Sequence, residues 1–256
     1  MKKKIAIITG ATGGIGREFT RLMTLENVDE IWAIARNQTK LVALKKEFGD
    51  KVIAISKDLS DPEAVHSIER MLDREKPTVS YLINNAGIAR MGAFSEFTVK
   101  EIEETIFVNC SVVATLCSVC IPYMQTGSRI LNISSASSFQ PLPYLNLYAA
   151  TKVFVRNYSR ALHAELKSKN ITVTAVCPSW VDTELLTKEI NGKKVKFPGI
   201  VSAGKVAKTA LKDAKKGKDM SVCSLYVKNE HVFTKLMPQR ITMAIWIRGI
   251  RKYGNN

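Results

Sequence analysis

A tyrosine and a lysine one helical turn apart are the residues of this chain best suited to proton transfer. Tyr148 and Lys152 are four positions apart, so on a helix both side chains point to one face. A free phenol has a pKa near ~10, and a neighbouring lysine cation lowers it toward the range where acid–base catalysis is efficient. Ser135, thirteen residues before Tyr148, offers a hydroxyl for the same substrate oxygen. These residues suit proton donation to a carbonyl under reduction, although a bare Tyr–Lys pair also occurs in ordinary surface packing.

A glycine-rich turn near the start of the chain supplies the context that this pair lacks. Residues 4–9 form an apolar, β-branched run that predicts a strand, and Gly10, Gly13, Gly14 and Gly16 follow before a helical pattern begins. Glycines let the backbone approach a pyrophosphate, and a helix N-terminus offers free N–H groups and a positive dipole end. Strand, glycine turn and helix in this order predict a dinucleotide cradle.

The end of the next predicted strand indicates which dinucleotide is bound. An acidic residue near this point usually holds the ribose hydroxyls of NAD, but here Arg36 follows the neutral Ala35. A guanidinium is a fork-shaped donor suited to a 2′-phosphate. The residues therefore favour NADP(H) over NAD(H); a merely solvated Arg36 is the alternative.

The rest of the chain alternates apolar strands with amphipathic helices. This pattern predicts an α/β fold of the Rossmann type, a doubly wound parallel sheet flanked by helices. The predicted strands are 4–9, 30–35, 51–56, 79–84, 128–133 and 171–177. Beyond the helix after the glycine turn, the predicted helices are 38–48, 61–75, 98–110, 111–125 and 146–169, with a helical tail at about 229–253. No repeat or linker interrupts the pattern, so we expect a single domain over 1–256 with a C-terminal helical extension.

These motifs together resemble the short-chain dehydrogenase/reductase (SDR) family, over about residues 3–183. The family's cofactor turn, adenine contact and sheet motif correspond to Thr9–Gly16, Asp58-Leu59 and Asn84–Gly87. The residues that match its catalytic set are Asn109, Ser135, Tyr148 and Lys152. The Tyr-x-x-x-Lys spacing speaks against the family's enoyl reductases, and the glycine spacing speaks against its sugar-nucleotide epimerases.

The resemblance implies an NADP-dependent enzyme that interconverts a ketone and a secondary alcohol. In this scheme Ser135 binds the carbonyl oxygen and Tyr148 donates the proton. Lys152 lowers the Tyr148 pKa and binds the nicotinamide ribose, while Asn109 holds a water that resupplies protons. The implied cofactor contacts are Gly10, Thr12, Gly14, Ile15, Gly16, Arg36, Asp58, Leu59, Asn85, Ala86, Gly87, Tyr148, Lys152, Pro178, Val181 and Thr183. Ser134 is expected to be structural, and no metal site is expected.

Two positions depart from the family's pattern. The Pro-Gly turn after the sixth strand is Pro178-Ser179 here, so Ser179 is expected to adopt a turn geometry that glycine takes more easily. Ser138 replaces a glycine three positions after the catalytic serine. Both departures touch the nicotinamide and substrate pockets, but neither removes a catalytic atom.

Net charge and cysteine content limit the classes of function that the chain could have. The 256 residues carry a formal charge of +15, spread in short lysine and arginine clusters that favour a solvated surface. Steering of an anionic cofactor and attraction to an anionic membrane are the alternatives; without clustered arginine and aromatic residues, nucleic acid is not favoured. The five cysteines lack disulfide spacing, which favours reduced thiols in the cytoplasm. We expect neither a signal peptide nor a membrane-spanning run.

The predicted substrate side is apolar. Between Ser135 and Tyr148 lies the stiff segment 139–145, and Met91 and Phe94 are expected to line the same cleft. Segment 184–200, where relatives carry a substrate lid, contains Leu185, Leu186, Val195 and Phe197 among lysines. This composition favours a lipophilic ketone such as a ketosteroid or 3-oxoacyl compound. The alternative is that these side chains pack on their own scaffold.

The C-terminal tail carries an imperfect amphipathic stripe. Met243, Trp246, Ile247 and Ile250 recur at helical spacing, with Ile241 and Ile245 on the opposite side. Core packing or a subunit contact is favoured over peripheral membrane contact.

Alternative functions stay open on the sequence alone. A reductase of small polar or sugar-like carbonyls is the alternative enzyme, and an NADP(H)-sensing regulator or a basic membrane scaffold are the non-enzymatic readings. The regulator is disfavoured because the chain keeps all four catalytic residue types. The family resemblance also implies a homodimer or homotetramer built through helices 98–125 and 146–169.

Overall fold

A seven-stranded sheet forms the centre of the molecule, with all neighbouring strands parallel. The computed structural model describes residues 2–183, 186, 189–190, 193–194 and 197–251. The strands of this sheet are β1 (Lys4–Thr9), β2 (Glu30–Ala35), β3 (Val52–Ser56), β4 (Thr78–Asn84), β5 (Arg129–Ile133), β6 (Thr172–Val176) and β11 (Met220–Ser221). Their order across the sheet is β11-β6-β5-β4-β1-β2-β3. Two small pairs are β7 (Val181–Asp182) with β10 (Val201–Ser202), and β8 (Glu189–Ile190) with β9 (Lys193–Lys194).

Helices cover both faces of the sheet. They are α1 (Gly14–Met23), α2 (Gln38–Phe48), α3 (Pro62–Glu75), α4 (Val99–Ile106), α5 (Val112–Cys120), α6 (Asn146–Glu165), α7 (Ala203–Lys215), α8 (Leu225–Leu236) and α9 (Gln239–Ile250). One core joins the sheet to α1, α2 and α7 through residues such as Phe19 and Val206. The other core joins it to α3, α5 and α6 through residues such as Ile68 and Leu116. Strands buried on both faces need near-continuous apolar runs, which is why their positions were predictable. The predicted doubly wound parallel sheet is confirmed.

The strand order reverses between β1 and β4, which are neighbours in the sheet. Ligands of open α/β sheets bind at such a switch point, outside the carboxyl ends of the strands. β1 runs into the glycine turn, β4 into Asn85–Gly87, and β5 into Ser134-Ser135. Three predicted motifs therefore meet at one edge of the sheet.

The segment predicted as two helices, 98–110 and 111–125, is one continuous helical run. α4 and α5 are joined by a π-helical turn at Phe107–Ser111, and Pro122 lies in a final 3₁₀ turn. A π turn inserts an extra residue and re-aims the side chains around it. Asn109 lies within this turn.

The expectation that no run is long and apolar enough to cross a membrane is wrong. Val99–Tyr123 spans 25 residues and contains a window of mean hydropathy 1.9. Its inner side nevertheless packs as a layer helix, because Val112, Leu116 and Cys120 are buried in the core against the sheet. Core helices share the length and composition of membrane spans, so these contacts explain the apolar run without a bilayer.

The C-terminal tail is two helices rather than one. α8 ends at Leu236 and α9 begins after Pro238, which has no N–H to continue the first helix. The tail stripe of the sequence analysis belongs to α9 alone. The helix α7 and the strand β11 were not predicted from the sequence.

Candidate active site

The glycine turn between β1 and α1 has a shape that side chains would fill. Gly10 and Gly14 have φ values of +62° and +50°, in the left-handed region that favours glycine. A Cβ added to Gly16 would lie 2.1 Å from the Gly10 carbonyl oxygen. Glycine at these positions therefore lets the turn fold tightly onto the start of α1.

The N-terminus of α1 is open to an anion. Its N-cap is Gly13, which makes no side-chain hydrogen bond to the first-turn N–H groups. In contrast, Asn37 caps α2 and Asp61 caps α3 with side-chain oxygens. Uncapped N–H groups and the positive end of the helix dipole suit a pyrophosphate. Thr183 borders the same site, because a Cβ on Gly14 would lie 3.0 Å from its Cγ2.

Asn85 holds the glycine turn against β4. Its side-chain amide donates to the Thr9 and Gly10 carbonyl oxygens, each at 3.1 Å. The Thr9 hydroxyl accepts from the backbone N–H of Asn85 at 2.9 Å and of Ala86 at 3.0 Å. Asn85 was predicted as a cofactor contact, and in the structure its amide supports the turn that would make such contacts.

The outer end of the crevice carries the residues predicted to meet the adenosine. Arg36 is exposed just after β2, and its carbonyl oxygen accepts from Ser56 Oγ at 3.1 Å. The Asp58 carboxylate accepts from the Ser60 N–H at 3.0 Å and hydroxyl at 2.9 Å, while Leu59 is buried beneath it. The exposed Arg36 side chain therefore extends from a backbone that is held by the hydrogen bond from Ser56.

Asn109 and Lys152 come together around Gly87, and Tyr148 lies beside Lys152. A Cβ on Gly87 would lie 3.2 Å from Asn109 Oδ1 and 3.3 Å from Lys152 Nζ. The Lys152 ammonium lies 5.4 Å from the centroid of the Tyr148 ring, with Lys152 itself buried. Their convergence depends on the helical spacing of α6 and on the absence of a side chain at Gly87.

Ser135 completes the cluster, and its neighbours support it. It hydrogen-bonds Tyr148 and accepts from the Ser137 N–H at 3.1 Å. Ser134 points the other way and donates to the Lys152 carbonyl oxygen at 2.7 Å, which agrees with the expected structural role. Ser138, which replaces the family's glycine, donates its hydroxyl to the Ser135 carbonyl oxygen at 2.6 Å. This departure therefore adds a hydrogen bond that fixes the backbone of Ser135.

Burial dominates the electrostatics of the Tyr–Lys pair. Burial raises the pKa of Tyr148, and the Ser135 hydrogen bond opposes that rise. Burial also lowers the pKa of Lys152 to about 8, against the influence of Cys110 and Cys177. The net shift is therefore upward, and the expectation that the Lys152 cation lowers the Tyr148 pKa stays a prediction. The ammonium lies over the ring and donates to the Ile133 carbonyl oxygen at 2.8 Å.

The Asn109 side chain makes three hydrogen bonds to neighbouring groups. Its amide nitrogen donates to the Ile88 carbonyl oxygen at 2.9 Å and to Thr151 Oγ1 at 3.0 Å. Its oxygen accepts from the Ile88 N–H at 2.8 Å. Both amide protons are used, so the predicted water would have to bind as a donor to the second lone pair of Oδ1 or to backbone carbonyls of the π turn.

The turn after β6 is less strained than expected. Ser179 is not among the described non-glycine residues with positive φ, which are Lys76, Tyr144 and Asn170. The expectation of a glycine-like geometry at Ser179 is therefore wrong. The buried Pro178 accepts from the Ala136 N–H at 2.8 Å, and Val181 pairs with Val201 in the small β7–β10 ladder.

Apolar loops form the rim of the cleft. The carbonyl oxygen of Tyr144 accepts from the Gly92 N–H at 2.8 Å and so joins the two loops predicted to line it. Phe94 is 82% exposed, and Met91 and Tyr144 are also exposed. Leu142 is instead buried beneath the rim. In the lid segment, Leu186 is half-buried, whereas Leu185 and Val195 lie outside the described residues.

Sequence reasoning missed an aromatic group on this side. Trp180 packs on Phe197 with ring centroids 5.0 Å apart and stacks with Trp246 at 6.5 Å. The Trp246 indole N–H donates to the Pro143 carbonyl oxygen at 2.8 Å. The stripe on α9 thus faces the protein, as the core-packing interpretation expected. The partner, Trp180, is distant in sequence, so no local pattern could have predicted the stack.

A sheet of this order, with a glycine-lined helix start at its switch point, defines the Rossmann class of dinucleotide-binding folds. Within that class, a Tyr–Lys pair with a buried lysine, beside a serine, is a site for acid–base chemistry on a substrate oxygen.

The comparisons give the family. Residues 4–194 match the family model described as short chain dehydrogenase. A short-chain dehydrogenase from Sphingobium yanoikuyae, solved in complex with NADPH, has a TM-score of 0.78 at 28% identity, covering 94% of this chain and 95% of that one. The protein belongs to the short-chain dehydrogenase family of oxidoreductases, which use a nicotinamide cofactor.

Curated relatives share about a third of the aligned residues. The chain is 34% identical over 192 residues to a very-long-chain 3-oxoacyl-CoA reductase of Anas platyrhynchos, covering 70% of this chain and 60% of that protein. It is 35% identical over 193 residues to a 17-beta-hydroxysteroid dehydrogenase type 3 of Danio rerio, covering 71% of this chain and 62% of that protein. It is 31% identical to a 3-oxoacyl-[acyl-carrier-protein] reductase of Chlamydia trachomatis, covering 73% of this chain and 77% of that protein. The chain spans about three fifths of the length of the first two.

Proposed function

We propose that this protein is an NADP(H)-dependent reductase that converts a lipophilic ketone, such as a ketosteroid or a 3-oxoacyl compound, to a secondary alcohol, or catalyses the reverse. The convergence of Ser135, Tyr148 and Lys152 beside the glycine-lined crevice carries the proposal. The relatives named as 3-oxoacyl reductases and as a hydroxysteroid dehydrogenase support the substrate class.

Each residue of the cluster has a role that follows from its contacts. A bound nicotinamide supplies the hydride for this chemistry. Ser135 orients the carbonyl oxygen by a hydrogen bond, and Tyr148 donates its phenolic proton to that oxygen. Burial keeps Tyr148 protonated at neutral pH by raising its pKa, so the proton is available for reduction. The Lys152 cation stabilises the phenolate left behind.

Lys152 has two ammonium protons beyond the one donated to Ile133. We assign these to the nicotinamide ribose. The π turn keeps Asn109 beside Lys152, and we propose that a water bound there returns a proton after each turnover.

The crevice fits a dinucleotide phosphate. Gly10, Gly14 and Gly16 leave room for the backbone to approach a pyrophosphate, with Thr12 and Ile15 in the same turn. The exposed Arg36 guanidinium suits the extra phosphate that distinguishes NADP from NAD. The remaining proposed contacts are Asp58, Leu59, Asn85, Ala86, Gly87, Pro178, Val181 and Thr183.

We also infer how the chain is organised. A single cofactor-binding domain with a C-terminal extension is supported by the contact of Trp246 on α9 with Pro143. A homodimer or homotetramer through α4–α6 is supported by the half-exposed Ile106 and Phe154. A cytoplasmic location is supported by the five cysteines, which lack disulfide spacing and are all free thiols; contact with a membrane surface is a separate proposal.

The decisive measurement is oxidation of NADPH and NADH against a panel of steroid ketones, long-chain 3-oxoacyl compounds, small diketones and sugars. NADPH-selective turnover of the lipophilic members is the expected result. Turnover confined to small polar ketones would overturn the substrate class, and cofactor binding without turnover of any ketone would favour an NADP(H)-sensing regulator.

Cofactor preference is tested separately. Arg36→Asp replaces the guanidinium with a carboxylate that suits the ribose hydroxyls of NAD. The ratio of kcat/KM for NADPH to kcat/KM for NADH should therefore fall by about tenfold or more. Arg74→Asp, at an exposed arginine of α3, is the matched control and should leave the ratio unchanged. An unchanged ratio in Arg36→Asp would remove Arg36 from the NADP site.

A further inference from the structure

Helix α8 presents apolar side chains outward. Val227 and Thr234 face the protein and are buried. Leu225, Val232 and Leu236 recur at i, i+7 and i+11 on the opposite face, and Leu225 and Leu236 are 76% and 77% exposed. A helix at a water-facing surface normally shows the reverse arrangement.

Helix α9 continues this outward apolar surface. Ile241 and Ile245 are exposed, whereas Thr242 is buried and Trp246 is held against Pro143. Single exposed apolar residues are ordinary, but two consecutive helices that both expose branched side chains mark an interaction surface. We call the outward faces of α8 and α9 the C-terminal face.

The charge of the C-terminal face is one-sided. Residues 225–251 contain five cations, Lys228, Lys235, Arg240, Arg248 and Arg251, and Glu230 as the only acid. Lys228 and Lys235 follow Leu225 and Val232 by three positions and so border the apolar stripe of α8. All five cationic residues are exposed, whereas Glu230 is half-buried.

We propose that the C-terminal face docks on an anionic lipid bilayer, with its leucines and isoleucines at the boundary between headgroups and acyl chains and its cations on the lipid phosphates. Apolar residues bordered by lysine and arginine are the pattern by which helices lie in a membrane interface. A second copy of this chain fits less well. It would bring the same cations against this face, and each chain carries a net charge of +15.

Docking in this way would turn the cleft toward the bilayer. His231 on α8 packs on Phe139 with ring centroids 4.1 Å apart, and Trp246 on α9 binds Pro143. Phe139 and Pro143 lie in the loop that leads to Tyr148. The exposed rim of the cleft includes Tyr144 of this loop and Phe94. A lipophilic substrate dissolved in the membrane would then enter the cleft directly. This orientation rests on the proposed function, whereas the docking surface does not.

The test is co-sedimentation of the full chain with vesicles of phosphatidylcholine alone or with phosphatidylglycerol added. We expect binding to the anionic vesicles that falls as salt rises. Leu236→Ser should lower the partition coefficient by about tenfold, and Lys228→Gln with Lys235→Gln by about fivefold for each lysine. Leu25→Ser, at a leucine 75% exposed far along the chain, and Lys45→Gln with Lys46→Gln are the matched controls and should bind as wild type.

Three results would overturn the proposal. The first is that the chain fails to bind anionic vesicles at low salt. The second is that the control variants lose as much vesicle binding as the test variants. The third is that Leu236→Ser converts an oligomer to a monomer in the absence of vesicles. The last would make the C-terminal face a subunit interface. Turnover of a water-soluble ketone by Leu236→Ser should equal wild type. Loss of vesicle binding with normal turnover therefore separates this proposal from the proposed function.

Discussion

The two sides of the cleft are held together by different forces. On the cofactor side, polar side chains are tied across the sheet: Asn85 binds the glycine turn, and Asn84 donates to Asn132 at 2.8 Å. On the substrate side, aromatic stacks and the hydrogen bond from Trp246 to Pro143 hold α8 and α9 against the loops.

Unpartnered polar atoms mark the same difference. Among the described residues, five buried side-chain atoms lack a hydrogen-bond partner, and three of them, Ser137 Oγ, Gln140 Oε1 and His231 Nδ1, lie between the substrate loop and α8. One, Asn84 Oδ1, lies on the cofactor side. A buried polar atom that neither protein nor water satisfies costs about 1–3 kcal/mol. The cofactor side is therefore preorganised, and the substrate side keeps contacts that can rearrange at lower cost.

The largest expected effect comes from removing the Tyr148 hydroxyl on the preorganised cofactor side. Tyr148→Phe should lower kcat by about 10²–10⁴-fold, because the assigned proton donor is lost, while the cofactor dissociation constant stays near that of the wild type. Steady-state turnover and cofactor titration measure the two quantities. Tyr144→Phe, on the exposed rim, is the control and should retain most activity. Near-normal turnover of Tyr148→Phe would contradict the assigned role.

Crowding the glycine turn should weaken cofactor binding. In Gly16→Ala the new methyl would lie 2.1 Å from the Gly10 carbonyl oxygen, and relieving such an overlap costs about 1–3 kcal/mol. We expect about tenfold weaker cofactor binding, measured by fluorescence titration. Gly13→Ala is the control, since nothing lies within 4 Å of its added Cβ and its φ is −143°. Equal losses in both variants would mean that the close approach is not what limits binding.

Reduction should depend on pH through Lys152. Its pKa of about 8 means that the cation is present below pH 8 and is lost above it. Because the cation stabilises the phenolate, kcat/KM for reduction should be flat below about pH 8 and fall about tenfold per pH unit above it. Tyr148, with its raised pKa, stays protonated over the start of this decline. A profile flat to pH 10 would exclude this role of the cation.

The smallest effect is expected on the substrate side. Trp246→Phe keeps the ring but removes the donor to Pro143, so kcat/KM for bulky ketones should fall by only about 2- to 10-fold. The cofactor dissociation constant should not change. Ile245→Ala, on the outward face of α9, is the control and should turn over a water-soluble ketone normally. An effect of Trp246→Phe on cofactor affinity would show that the two sides are coupled.

Most of the fold could be predicted because its signals are local. Strands such as β1 and β2 are buried on both faces and therefore have continuous apolar sequences. The pair Asp61-Pro62 predicts the start of α3. The π turn at Asn109 could not be predicted, since it accompanies hydrogen bonds to Ile88 and Thr151 that are distant in sequence.

The site was predictable in composition but not in electrostatics. The spacing of Tyr148 and Lys152 sets their shared helix face, so their convergence needed only α6. The net direction of the Tyr148 pKa shift was missed because it depends on burial, which outweighs the hydrogen bond from Ser135. Such contacts come from β5 and α6 meeting in space, which no spacing within one element encodes.

The aromatic group at the mouth of the cleft also provides an optical reporter. The chain has three tryptophans: Trp32 is buried in the sheet, whereas Trp180 and Trp246 stack with planes 13° apart beside the substrate loop. Trp32→Phe would leave tryptophan emission to this pair alone. Its quenching and spectral shift would then record, without an attached dye, when the mouth of the cleft changes shape.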